Sequence, residues 1–324
     1  MFVNAALGLT STLHVEPRRV GRLLRGAPVL ARAHVGAYPG RASDLLRRVQ
    51  CQNGLMAENA PYFEDVGTGE PIVLLHAAIA DSRQWDEHVA AFSERYRVIR
   101  YDMQGFGQTP AAEAPVTRAD ELLDLLQRLS VPKAHLVGVS NGGATALDFA
   151  VVYPERVGAL VLVAPGISGI RPEDLGDASL MEWDAAQEAR EEEAVAAGDL
   201  ARAAEISMET WLGGHGRPVS AVSPAVVARV REMTEHAFRR AAERKPTPQL
   251  SPGAADRLGS VTAPTLLLVG EHELPNVRAM VDCLAQRIAG AQRVEFPNAA
   301  HWLNVEYPDR FNQVVLDFLA AHPL

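Results

Sequence analysis

A serine flanked by glycines, in Gly138-Val139-Ser140-Asn141-Gly142, is the arrangement in this 324-residue chain best suited to chemistry. The pattern G-x-S-x-G fits a sharp turn between a strand and a helix, with the hydroxyl presented at its apex. A candidate strand, Ala134 to Val139, precedes it and a candidate helix, Ala144 to Tyr153, follows. In so tight a turn neighbouring backbones approach closely, and side chains two residues either side of the serine would clash. A serine hydroxyl alone is a weak nucleophile. It needs a base within hydrogen-bond reach, and that base needs a carboxylate to fix its tautomer and stabilise the imidazolium that forms. The chemistry in prospect is nucleophilic acyl transfer.

Ten histidines are available as the base. His14 and His34 lie in the N-terminal stretch, His88 and His236 on helix patterns, and His135 at the start of a strand pattern. His301 differs. It stands in Asn298-Ala299-Ala300-His301-Trp302, between the last strand pattern and the last helix pattern, at a carboxyl edge where a catalytic loop belongs. For the acid, the apolar strand Thr265 to Val269 runs into Gly270-Glu271-His272-Glu273, and both Glu271 and Glu273 are open to the role. Serine, acid and histidine then follow in that chain order.

These residues need a frame. Short strand patterns at Tyr62 to Val66, Ile72 to His76, Arg97 to Tyr101, Ala134 to Val139, Val157 to Val163, Thr265 to Val269 and Gln292 to Phe296 alternate with helix patterns. Trp85, Val89 and Phe92 recur at helical spacing, as do Leu122, Leu125, Leu126 and Leu129, and later Val277, Met280, Val281, Leu284 and Ile288. Continuous apolar strands of this kind are buried on both faces. The alternation predicts a mostly parallel, doubly wound α/β sheet covered by helices.

From Gly166 to Thr247 the rhythm breaks and helix patterns dominate. Asp199 can cap one helix carrying Leu200 to Leu212 and ended by Gly213-Gly214, and Ser223-Pro224 can open another. The acidic run Glu182 to Glu193 reads as a solvated helix face and not as a metal site. Such an insertion would lie over the carboxyl ends of the strands, where open parallel sheets bind ligands. Trp183, Met208, Trp211 and Phe238 are candidates to line an apolar pocket there, or to pack as core.

Net charge of −9 and a pI near 5.6 speak against nucleic-acid and membrane-surface partners, which favour a basic face. Small molecules remain. Two cysteines, Cys51 and Cys283, offer neither a disulfide framework nor a metal cluster, and fit a reducing, cytoplasmic setting. No apolar run reaches membrane-spanning length. Up to Gln52 there are eight arginines and two acids, a balance of +6 that leaves −15 for the remainder. Residues 1–55 therefore read as a disordered extension, with a functional start at Met56 as a further possibility.

With these motifs in view, the chain from about Pro61 onward resembles an α/β-hydrolase with a helical cap. His76-Ala77-Ala78 resembles that family's His-Gly loop, Asp102-Met103-Gln104-Gly105-Phe106-Gly107 its D-x-x-G-x-G loop, and Gly270 to Glu273 its G-E-x-D strand end. Ala299-Ala300-His301 and Glu306-Tyr307-Pro308 resemble its C-terminal loop. The resemblance implies core at 56–165 and 248–324 with a cap at 166–247. It implies Ser140 as nucleophile, His301 as base and Glu273 as acid, with an oxyanion hole from the Ala78 and Asn141 backbone N–H groups and His76 structural. No cofactor or metal is implied, and no oligomeric state. The implied activity is hydrolysis of a small carboxylic ester or lactone. Carbon–carbon bond hydrolysis of vinylogous diketones and haloperoxidase-like esterase activity share the same residues, and a non-catalytic receptor shares the fold. Serine at the elbow, where dehalogenases and epoxide hydrolases of this fold carry aspartate, argues against both. Two departures bear on the site. Ala77 replaces a glycine and should reshape the oxyanion loop if positive φ is needed there, and Glu273 is one methylene longer than the usual aspartate.

Overall fold

The computed structural model describes residues 60–175 and 182–324. The Arg-rich stretch 1–55, its expected disorder and the alternative start at Met56 lie outside the described residues.

Seven strands form one sheet: β1 (Phe63–Val66), β2 (Glu70–Leu75), β3 (Tyr96–Tyr101), β4 (Ala134–Val139), β5 (Val157–Val163), β6 (Thr265–Gly270) and β7 (Gln292–Phe296). Their spatial order is β1-β3-β2-β4-β5-β6-β7, and every pairing is parallel except β1 with β3. All seven were expected from the sequence, and for the central strands the signal is burial. Every residue of β4 and β6 is buried, and apart from His135 and Thr265 at their starts none is polar. The exposed-side pair β1 and β3 carries charge instead. Glu64 stands opposite Arg100 in register and bonds it at 2.7 Å, and Arg97 reaches Asp65 at 2.7 Å.

Strand order reverses between β2 and β4. β3 extends the sheet to one side of that point and β5 to the other, so the loops leaving β2 and β4 part and leave a crevice at their carboxyl ends. Leu75 pairs with Gly138 there, which sets the Ala77-Ala78 loop beside the Ser140 turn.

Helices α1 (Asp86–Ser93), α2 (Arg118–Arg128) and α3 (Asn141–Val152) follow β2, β3 and β4. α2 opens on Thr117, whose hydroxyl accepts the Asp120 N–H, and buries Leu122, Leu125 and Leu126. α3 starts at Asn141, three residues before the apolar pattern suggested, because Gly142 and Gly143 are helical without contributing apolar side chains.

Between β5 and β6 come α4 (Glu182–Ala196), α5 (Leu200–Ser207) and α6 (Pro224–Ala241). Asp199 caps α5 by accepting the Arg202 N–H and Ser223 caps α6 by accepting that of Val226. The helix expected to run on through Leu212 widens into a π-turn at Met208–Gly213, closed by Gly214 at φ 82°. α6 and the segment after it are fastened to the strand-end loops: Arg83 meets Glu232 of α6 at 2.7 Å, and the guanidinium of Arg244, beyond the helix, lies 3.9 Å over the Phe106 ring while its Nε donates to the Gly105 carbonyl.

α7 (Pro275–Arg287), the short α8 (Leu303–Glu306) and α9 (Pro308–Ala320) complete the fold. No described helix is long and apolar enough to cross a membrane.

Candidate active site

Ser140 sits at the apex of the β4–α3 turn with φ 54° and ψ −114°, a conformation that non-glycine residues adopt only under constraint. Several bonds hold it. Its N–H donates to the Val163 carbonyl at 2.9 Å, and its own carbonyl accepts from Ala144 at 2.9 Å and Gly166 at 3.2 Å. The flanking glycines are required by space. A Cβ on Gly138 would lie 2.3 Å from the Gly142 carbonyl oxygen, and one on Gly142 would lie 2.2 Å from that of Leu75.

His301 follows β7 in a loop tied to the helical segment between β5 and β6. Its backbone N–H donates to the Trp211 carbonyl at 3.2 Å, and its ring lies 4.6 Å from the Trp211 ring. Glu306 strengthens the tie by accepting the Ala300 N–H at 3.1 Å while paired with Arg217 at 2.8 Å, both groups largely buried. His301 Nδ1 lies 2.9 Å from Glu273 Oε2, and Glu273 Oε1 accepts the Leu274 N–H at 2.9 Å. With the carboxylate accepting at Nδ1–H, the other ring nitrogen keeps its lone pair. The extra methylene of glutamate therefore reaches. Glu271, the other acid left open by the sequence, turns outward and accepts the Asn298 N–H at 2.8 Å.

In the loop after β2, His76 Nε2 accepts the Met103 N–H at 3.1 Å, so Nδ1 carries the proton and donates to the Ala77 carbonyl at 2.8 Å. Burial lowers the His76 pKa and favours this neutral ring. The Ala77 N–H donates to Gln84 Oε1 at 2.9 Å. Ala77 is not among the non-glycine residues with positive φ, so alanine at this position carries no backbone strain. The Ala78 N–H donates to no acceptor among the described residues. Asn141 begins α3, where N–H groups lack intrahelical acceptors.

Sequence reasoning missed the device behind this loop. Gln84 Nε2 donates to Asn304 Oδ1, Asn304 Nδ2 donates to His88 Nε2, and His88 Nδ1 donates to Asn312 Oδ1 at 2.6 Å. Burial pushes His88 down to about 4, so the ring stays neutral and both its nitrogens are satisfied. A buried polar chain thus links the Ala77 loop to α8, directly after His301. Isolated Gln, His and Asn residues far apart in sequence carry no signal of it.

A family model for the alpha/beta hydrolase fold matches residues 70–308. The chain belongs to this family. Over 285 residues the hydrolase is 28% identical to 2-hydroxy-6-oxo-6-phenylhexa-2,4-dienoate hydrolase from Burkholderia cepacia, covering 80% of this chain and 91% of that one. Among solved structures, it is similar to the enol-lactonase from Burkholderia xenovorans LB400, with 25% identity, a TM-score of 0.61 and coverage of 80% and 96%. A carboxylesterase from Bacillus subtilis is likewise similar, with 26% identity, a TM-score of 0.61 and coverage of 81% and 88%. The chain is therefore an enzyme of the hydrolase class.

Ser140, Ala78, Asn141 and His301 of this hydrolase all line one cavity of about 540 Å³, within the range of small-molecule sites. Of the four candidate pocket residues, Trp211 lines it. Met208 and Phe238 are packed in the core, and Trp183 stands edge-on to His215. The cavity wall also overturns the reading of Glu182 to Glu193 as solvated. Glu182, Glu192 and Glu193 are exposed, but Asp184 is 7% exposed, Glu188 and Glu191 are half-buried, and all three line the cavity. Positions 184, 188 and 191 share a helix face that α4 turns inward. Among the described residues, no three His, Cys, Asp or Glu side chains converge as metal ligands.

Burial lifts all three carboxyls to about 7, with the Glu273 charge adding to the rise at Asp184. For Asp184 the rise from 3.8 to about 7 corresponds to about 4 kcal/mol, which solvent in the cavity reduces to about 2 kcal/mol. The sign is fixed by linkage. A folded-state pKa above the unfolded one gives stability that is fully present below pH 3.8 and is lost as pH rises through about 7. Asp184→Asn is therefore expected to melt higher than wild type, with an advantage that widens from pH 4 to about pH 7 and then stays level. Melting curves across that range check it, and a pH-independent difference would refute it.

Proposed function

We propose that this hydrolase cleaves a small carboxylic ester or lactone through an acyl-enzyme formed on Ser140. One observation carries the reading: Ser140, held in a strained turn, and His301, paired with Glu273 behind it, open onto the same cavity. Ser140 Oγ attacks the acyl carbon as His301 Nε2 takes its proton. Glu273 holds the imidazole in the Nδ1–H tautomer and stabilises the imidazolium. The Ala78 and Asn141 N–H groups bind the oxygen on which charge develops, and free donors kept in place by the Gln84 bond to Ala77 and by α3 suit that role. His301 then returns the proton to the leaving alcohol, and water repeats the sequence in reverse. The helices between β5 and β6 act as the cap over this site. The acidic chain with two cysteines supports a cytoplasmic location.

The dienoate hydrolase relatives favour a second reading, carbon–carbon bond cleavage with the same residues. Dienoates are carboxylates, and the cavity weighs against them. Asp148, Asp184, Glu188 and Glu191 line it without any ion pair among the described residues, while the lining Arg118 and Arg171 are engaged by Glu121 and Asp174. Turnover of para-nitrophenyl butyrate, an enol-lactone and an aryl dienoate by the purified chain tests the choice. Ester or lactone hydrolysis exceeding dienoate cleavage is expected, and the reverse order would overturn the ester reading.

A further inference from the structure

Asp184 is the one buried carboxylate lining this cavity that has lost its water and gained nothing in return. It is 93% buried, since 7% remains exposed, and neither carboxylate oxygen has a hydrogen-bond partner among the described residues. A buried acceptor left so costs stability unless something fills the space beside it. Other acids of the cavity wall stand near it, less buried or already partnered. Glu188 and Glu191 stand on the next two turns of α4, and Asp148 of α3 lies on another wall, its carboxylate meeting the Ser168 hydroxyl alone. Burial lifts all four above the ordinary carboxylate range, Asp148 to about 6. A cation is the ligand that removes this penalty.

We infer that α4 forms a cation subsite in which Asp184, backed by Glu188 and Glu191, binds an N–H-bearing ammonium group of the substrate. The inference deepens the serine-hydrolase reading, and rests on it for the statement that the ligand is a substrate. Three observations narrow the cation. Among the described residues no three His, Cys, Asp or Glu side chains stand together as ligands for a metal ion. Unsatisfied acceptor oxygens call for N–H donors. Quaternary ammonium groups have none and favour aromatic cages, whereas Trp211 is the single Phe, Tyr or Trp among the described lining residues. The two lining arginines do not fill the subsite. Arg118 is held at 2.6 Å by Glu121 and at 3.0 Å by the Gln104 carbonyl, and Arg171 at 3.0 Å by Asp174. Asp184, Glu188 and Glu191 line the same cavity as Ser140 and His301, so a substrate bound at Ser140 shares that space with the subsite.

The test compares three para-nitrophenyl esters of matched length on the full chain: ε-aminohexanoate, heptanoate and the monoester of adipic acid. The ammonium ester is expected to exceed heptanoate in kcat/KM by about ten- to a hundredfold, chiefly through KM, as charge-assisted hydrogen bonds allow. The anionic ester should be the poorest. Asp184→Asn should bring the ammonium-to-heptanoate ratio near one, and because the readout is a ratio, a general loss of fold or activity does not imitate it. Hexylammonium binding to the wild-type chain, measured by calorimetry against hexanol, needs no turnover. If hexylammonium binds and no ester is cleaved, the hydrolase reading fails and the subsite stands. Esters cleaved with a wild-type ratio near one, or hexylammonium binding no better than hexanol, would overturn the subsite even if Asp184→Asn did not fold.

Discussion

Ser140→Ala is expected to lower kcat/KM for para-nitrophenyl butyrate by about 10⁴- to 10⁶-fold, leaving only what the oxyanion donors and binding supply. On the proposed mechanism the loss is large because the acyl-enzyme route disappears outright, and neighbouring residues cannot replace a nucleophile set by one turn. Stability should follow a different rule. Alanine at φ 54° carries the same backbone strain as serine, so thermal unfolding should change by less than about 0.5 kcal/mol. Ser140→Gly removes the strain as well as the hydroxyl. Relief of about 1–3 kcal/mol, less about 0.5–1 kcal/mol for the freer unfolded chain, should make it the more stable of the two inactive variants. Ester turnover in Ser140→Ala above a tenth of wild type would remove Ser140 from the nucleophile's role, whatever the unfolding data.

Glu273→Gln should cost about 10⁴-fold in kcat with folding retained. The amide keeps one oxygen, which can still accept the Leu274 N–H now bound at 2.9 Å by Oε1. The other position then becomes NH₂ and faces His301 Nδ1 where a carboxylate oxygen stood at 2.9 Å. Two donors cannot meet, so the imidazole turns to the Nε2–H tautomer and loses the lone pair that the proposed mechanism uses to take the serine proton. Glu271→Gln serves as the comparison. Its carboxylate bonds the exposed Asn298 N–H, and kcat should stay within about threefold of wild type. Initial rates of the two variants decide the assignment, and a larger loss at Glu271 would reverse it.

Much of the frame was legible because it depends on local rules. β4, β5 and β6 are apolar since both faces are covered, and that pattern is written residue by residue. Ser223-Pro224 and Asp199 announced their helix starts through capping chemistry that needs no tertiary partner. Where a side chain had to choose between neighbours, local rules were silent. Met208 and Phe238 are apolar at helical spacing, which fits core and pocket equally, and packing put both in the core. The acids of α4 are the sharper case. Helical spacing says that positions 184, 188 and 191 share a face, yet a helix polar on all sides does not say which face turns inward.

The sequence by itself determined the α/β alternation and the strand-turn-helix around Ser140, because these follow from burial periodicity and from the steric needs of glycine. It brought Ser140, an acid at 271 or 273 and His301 to strand ends in the right order. Tertiary structure decided the rest. It chose Glu273 over Glu271 as the carboxylate at His301, since only long-range loop packing fixes where each side chain of a turn points. It accommodated Ala77 without strain by holding it through Gln84. And it turned an apparently solvated acidic face into the wall of the cavity, because burial is a property of what a helix packs against and not of the helix.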